Sequence, residues 1–203
     1  MKKLLFIIFL ISVFESNTNA QEKDFPRWSF GAEWSYVATV DCGWHYNFFS
    51  HEGYRVDTRG KNTVFYSNAE AYLNVGYNLT HRWNLALYIG IAGLYDMHKA
   101  IPASIRNTFF WGEDPDDDRW FSFIDLGSGI CLKKPPQEIL TGKIGGGYRI
   151  SLSRNSKLDF LLSLKMAYTH PEIIYEDAVI PFEKINKNNS YIGAITLGTA
   201  ITF

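Results

Sequence analysis

Six ionisable side chains interrupt runs of alternating apolar residues in this chain: Glu33, Glu70, Asp125, Arg149, Asp159 and Lys165. Each falls on the small or polar face of its run, opposite the greasy one. If that face encloses a narrow space, a charge on it must find a partner, because an unpaired buried charge is prohibitively costly. Glu33, Asp125 and Lys165 fall at similar depth along their segments. The six are therefore read as salt-bridge candidates that fill an interior; a small polar pore is the alternative.

Histidine is the second source of chemistry. His45, His51, His98 and His170 map to one end of the segments and His81 to the other. His51 sits beside Ser50 and Glu52, residue types that could supply a nucleophile and an acid to a general base, and a histidine cluster could bind metal. No contiguous motif assigns a catalytic residue, a cofactor or a metal. Tyr54 and Arg55 are of types enriched at binding hot spots; with His45, His51, His98 and His170 they form the set of outer-loop candidates. The run Asp114-Pro115-Asp116-Asp117-Asp118 carries carboxylates that could hold calcium, but it lacks the spacing and the glycine of an EF-hand loop and reads as a turn. Cys42 and Cys131 could form a disulfide in an oxidising compartment. However, they map to segments on opposite sides of an eight-stranded ring, and a bridge needs Cα atoms within about 7 Å.

The elements that must position these residues are strands. From Trp28 to Val40 the even positions are Trp, Phe, Ala, Trp, Tyr, Ala and Val, and the odd ones Ser, Gly, Glu, Ser, Val and Thr. A period of two means extended chain, with successive side chains on opposite faces. The pattern returns over Asn68–Leu79, Trp83–Ala92, Ile144–Leu152, Leu158–Thr169 and Tyr191–Phe203. Two further strands are read over Ala103–Trp111 and Trp120–Leu132, giving eight; six strands and one very long loop is the fallback. At about 11 to 14 residues, the longer ones suit a tilted membrane strand, which needs roughly 9 to 11, better than a soluble one of about 5 to 6. Turns at Thr80–Arg82 and Ser153–Lys157 are short. The connections Asp41–Val64, Asp96–Pro102, Lys133–Thr141 and His170–Asn189 are longer. That asymmetry predicts periplasmic turns and extracellular loops. Aromatic residues mark both rims: Trp28, Tyr77, Trp83, Trp111, Trp120 and Phe203 at one, Tyr36, Tyr66, Tyr95, Tyr168 and Tyr191 at the other.

The N-terminus adds the route. Met1-Lys2-Lys3, an apolar run Leu4–Phe14 and Thr18-Asn19-Ala20 read as a cleaved signal peptide over residues 1–20. The run is too short for a membrane helix of roughly 20 residues. The expected mature chain, residues 21–203, is one domain. A net charge of −1 over the whole chain carries no basic excess, which sets nucleic-acid binding aside. A secreted chain without a spanning helix can still cross a bilayer as a closed barrel, which satisfies every backbone group internally.

The signal peptide, the strand-turn-strand unit from Val75 through Thr80-His81-Arg82 to Leu85, and a last strand ending in Phe203 resemble small outer-membrane β-barrel proteins of the OmpA/OmpX type. The resemblance implies an all-β, closed antiparallel transmembrane barrel in a Gram-negative outer membrane. It also implies a lipid bilayer as its surroundings and the barrel-assembly machinery as a partner that reads the strand ending Phe203. The expected role is structural, or binding of a ligand or protein through the outer loops. An outer-leaflet enzyme that hydrolyses or transfers lipid acyl chains, and a small pore, are the alternatives.

Overall fold

The computed structural model describes residues 26–93, 99–132, 137–153 and 155–203. The predicted signal peptide, His98 and Tyr95 lie outside them. Alternating residues form strands wherever the sequence reads that way, including the two less regular segments. The strands are β1 (Trp28–Phe49), β2 (Arg55–Asn78), β3 (Trp83–Gly93), β4 (Lys99–Trp111), β5 (Arg119–Cys131), β6 (Gln137–Ser151), β7 (Lys157–Thr169) and β10 (Ile185–Thr202). A short hairpin, β8 (Ile174–Tyr175) and β9 (Ala178–Val179), lies between β7 and β10. Every neighbour pair is antiparallel, and β10 pairs with β1 to close a ring of eight. Closure removes the unpaired edges that an open sheet would present to lipid.

Alternation sets what faces each way. Trp34 is 54% exposed and Leu126 67%, whereas Glu33 beside Trp34 is 4% exposed. Phe30, Leu73, Leu87, Ile105, Ile144, Leu162 and Leu197 join the exposed apolar set. A predominantly apolar exterior on a closed barrel is a surface made for hydrocarbon: in water it would far exceed the few hundred Å² of apolar patch that soluble monomers carry. Edge-on aromatic pairs, Trp28 on Tyr77, Trp83 on Phe109 and Trp120 on Tyr148, sit at the short-turn rim with ring centroids 4.9 to 5.1 Å apart. Such rings suit the headgroup boundary.

The short-turn end is tied by its own side chains. Thr80 Oγ accepts from the backbone N–H of Arg82 and of Trp83 at 3.2 and 3.1 Å. The acidic turn is used locally: Asp118 accepts from the Ser151 N–H at 2.7 Å, Lys157 reaches Asp116 at 3.4 Å, and Arg82 reaches Glu113 at 3.1 Å. Its carboxylates therefore stitch neighbouring turns together rather than converging on one point.

The other end corrects the sequence reading. The predicted long loop Asp41–Val64 is mostly strand. β1 and β2 stay paired out to Phe49 and Arg55, leaving a turn of only five residues, 50–54. A bulge between Thr39 and Asp41 breaks the period of two, so alternation read through it points to the wrong face. Beyond the bulge the even residues carry the inward side. β3 stops at Gly93 and β7 at Thr169, while β10, β1 and β2 continue as a three-stranded extension. Asp41–Phe49 alone spans about 30 Å at 3.4 Å per residue. The β8–β9 hairpin folds onto this extension: Ile173 and Ile180 bury Phe48, with Tyr46, Val56, Tyr175 and Ile185 around them. Its turn places Glu176 and Asp177 at φ of 52° and 60°, the two-residue geometry that matches strand twist.

Candidate functional site: a layered ionic interior and an outer sheet

The interior is stacked in layers. Direct cross-strand partners bring Arg106, Asp125, Lys143 and Lys165 to one level on β4, β5, β6 and β7. Glu33 of β1 and Glu70 of β2 reach them across the lumen. Arg106 donates to Glu33 through Nη1 at 2.5 Å and Nη2 at 3.2 Å, and to Asp125 Oδ2 through Nε and Nη2 at 3.1 and 3.0 Å. Its guanidinium also lies over the rings of Tyr88 and Phe123 at 4.0 and 4.4 Å. Lys143 and Lys165 are register partners, a placement that would repel if nothing intervened. Glu70 intervenes: it takes Lys165 at 2.6 Å, Lys143 on its other oxygen, and the Tyr72 hydroxyl at 3.2 Å. Lys143 lies 3.9 Å from Glu33, which links the two halves. Three carboxylates meet three cations, so the tier is neutral, and all six groups are less than 7% exposed.

Apolar layers cover this tier on both sides. Toward the short turns lie Phe110, Phe121, Phe123, Leu161 and Ala200. Toward the extension lie Ala100, Cys131, Ile139 and Ala167, with Ile192 against them. The glycines of β6 make room: a Cβ on Gly147 would come within 2.6 Å of the Phe121 ring. Desolvation of this kind strengthens each ion pair and makes the loss of one partner expensive. A second charged group sits below the phenylalanines, where Arg149 grips Asp159 with two bonds of 2.7 Å and Arg119 stands beside it over Phe110.

The six lumen candidates thus divide. Glu33, Glu70, Asp125 and Lys165 share the central tier, whereas Arg149 and Asp159 form a separate pair nearer the short turns. Sequence reasoning missed Arg106 and Lys143, the hub and the bridge. Both were within reach of the parity rule. Arg106 alternates with Ile105 and Asn107 on a strand that was read, and Lys143 precedes Ile144 by one residue, just outside the strand start assigned there.

Of the described outer-loop candidates, His45 and Arg55 land on the extension, His51 and Tyr54 in its turn, and His170 just past β7; His98 lies outside the described residues. His45 is a β1 residue, and its Nε2 is 3.1 Å from Asp57 and 3.1 Å from Arg59 Nε. Asn47 donates to the second Asp57 oxygen at 2.8 Å, and Arg55 donates to Asn47 at 3.0 Å. Although partial removal from water works against ionisation, the bonds from Asn47 and His45 and the Arg59 charge hold the Asp57 carboxyl below the usual carboxylate range. Tyr54 bonds Tyr175 at 3.0 Å, pinning the tip to the β8–β9 hairpin, and that bond pushes its phenol up to about 12. His51 and Glu52 are exposed in the turn while Ser50 is fully buried. His170 pairs with the Asn188 carbonyl. Among the described residues, no serine hydroxyl is a hydrogen-bond partner of His45 or His170, and no three His, Cys, Asp or Glu side chains are grouped as metal ligands. The possible disulfide is not formed: Cys42 and Cys131 are both free, because β1 and β5 are four strands apart in either direction around the ring, as their placement in the sequence suggested.

The chain matches no protein-family model and no curated protein. Solved structures to which it is similar include the N-terminal β-barrel domain of Pseudomonas aeruginosa OprF, at 16% identity over 84% of this chain and 97% of that one, with a TM-score of 0.40. The outer membrane protein OprG of the same organism is 10% identical over 90% and 99%, with a TM-score of 0.49. Neisserial surface protein A is 12% identical over 88% and 98%, with a TM-score of 0.45.

Proposed function

We propose that this chain is an integral outer-membrane barrel, delivered by the signal peptide of residues 1–20, whose lumen is closed by side chains and which works by offering its outer sheet to an extended partner. The observation that carries the reading is the free edge of β2. From Arg55 to Thr63 it pairs with β1 on one side and no described strand pairs with it on the other, because β3 ends at Gly93 and pairs only up to Glu70. Free strand edges accept an added strand through main-chain bonds, with alternate side chains setting specificity. Arg55, Arg59 and Lys61 share one face of that edge with Asp57, which His45 and Asn47 already engage. An acidic extended segment fits this row. The bilayer and, through the strand ending Phe203, the barrel-assembly machinery are the other partners of this reading.

Hydrogen exchange in detergent tests it, with an alternating Glu-Val peptide as probe. The amides of 55–63 that point away from β1 are expected to exchange fast in the free protein and slowly with the peptide, and a variant with residues 43–61 replaced by a short turn should lose the effect. Conductance in planar bilayers is expected to stay at background. Protection of the amides of 55–63 that point away from β1 with no peptide present, or steady channel currents, would refute the proposal.

A further inference from the structure

The short-turn mouth of the barrel opens into a cavity of about 270 Å³ that runs from His81 and Asp116 at the rim to Phe121 and Leu161 at its floor. Arg119 lines it and is 7% exposed. Asp159, Asp114 and Asp116 act on its charge from a distance, but no carboxylate of the described residues forms an ion pair with it. Arg149, its direct cross-strand partner, holds both oxygens of Asp159. Asp116 on the same wall is taken by Lys157, and Asp118 by the Ser151 N–H. Arg119 has one bond to a neutral acceptor, from Nη1 to the His81 carbonyl at 2.8 Å, and its flat face rests 4.2 Å from the centre of the Phe110 ring. Its Nε–H is buried with no hydrogen-bond partner. A guanidinium presents its donors in a fork shaped for an oxyanion, and a buried donor left unmet is costly. The walls are mixed: Asn84 and Thr108 offer polar groups, and Phe121 and Leu161 make the floor apolar.

We propose that this mouth binds a small organic oxyanion, a carboxylate or phosphate carried on an apolar body, with the oxyanion on the Arg119 fork and the body on the phenylalanine floor. Among the described residues Arg119 takes part in no ion pair, and it lines the cavity at this mouth. The site lies at the end opposite the outer sheet, so it stands or falls independently of strand addition there.

Side-chain NMR of arginine Nε–H groups in the full mature barrel in detergent micelles tests it directly. Benzoate, phenyl phosphate, inorganic phosphate and benzyl alcohol serve as probes. Benzoate or phenyl phosphate is expected to shift the Arg119 Nε–H resonance saturably, and benzyl alcohol to leave it in place. R119Q should weaken binding at least tenfold, while R59Q on the outer sheet leaves it unchanged. Equal affinity for inorganic phosphate would overturn the apolar body. No saturable shift with any anion in the wild-type protein, or R119Q binding as tightly, would overturn the site, and the wild-type titration decides even if R119Q does not fold.

Discussion

Glu70 is the position at which the neutral tier is most open to attack. Replacing it with glutamine keeps the shape but leaves Lys143 and Lys165 side by side, with two carboxylates facing three cations. Removing one partner of a buried ion pair costs about 3–5 kcal/mol, and Glu70 serves two lysines at under 2% exposure, so the upper half of that range applies. The folding equilibrium should fall by roughly a thousandfold, at 1.4 kcal/mol per tenfold. Urea unfolding in lipid vesicles, followed by the loss of heat-modifiable gel migration, measures it. The discriminating variant is the pair E70Q with K165M. It leaves Glu33 and Asp125 against Arg106 and Lys143, neutral again, and should recover at least half of the loss. A coupling of this sign and of order 1–3 kcal/mol is what contacting residues show in a double-mutant cycle. If E70Q unfolds within about 0.5 kcal/mol of wild type, as surface substitutions do, or if K165M merely adds its own damage, charge balance is not what holds the tier.

Further expectations concern packing, titration and thiols. Gly147→Val should destabilise by about 1–3 kcal/mol, the cost of overpacking, because the added carbons meet the Phe121 ring; Gly142→Val, with open room beside Leu126, should not. Phe48→Ala should release the β8–β9 hairpin and speed proteolysis near Glu176 while leaving the barrel intact by gel migration. The Asp57 carboxyl sits below its ordinary value of 3.8, so its contribution to order in the extension is present above that pH and lost as pH falls through the lower folded value. Amide NMR of Asn47 and Arg59 should show one transition with a midpoint below 3.8, absent in D57N; a midpoint at or above 3.8 would refute the assignment. Intact mass after alkylation in denaturant without reductant should show both Cys42 and Cys131 modified.

Alternation made the barrel legible because oil outside and a narrow polar interior impose the same period on every strand. Even Ala103–Trp111, where Phe110 faces inward, kept its outward Ile105 and Trp111. The period failed where lipid no longer disciplines it. Beyond Thr39 the bulge shifts the faces, and the extension has hydrogen-bonded polar residues on one side and a loop-covered apolar cluster on the other. Residues 41–64 therefore carry no repeating signal and read as loop. The central tier was half legible: parity placed Glu33, Glu70, Asp125 and Lys165 inside, but which charge meets which depends on strand stagger around the ring, and a single sequence does not encode stagger in any local pattern. The separation of Arg149 and Asp159 from that tier has the same cause.

The distribution of ions along the chain has a consequence for how the molecule comes together. β1 and β2 contribute only acids to the central tier, and the bases arrive with β4, β6 and β7. An unclosed sheet lying in hydrocarbon would hold Glu33 and Glu70 far from their counter-ions, at several kcal/mol for each stranded charge. The seam between β1 and β10 therefore does more than seal an edge. Curling the sheet shut is the step that brings opposite charges within reach, so half-assembled forms are penalised and closure is driven toward an all-or-none event.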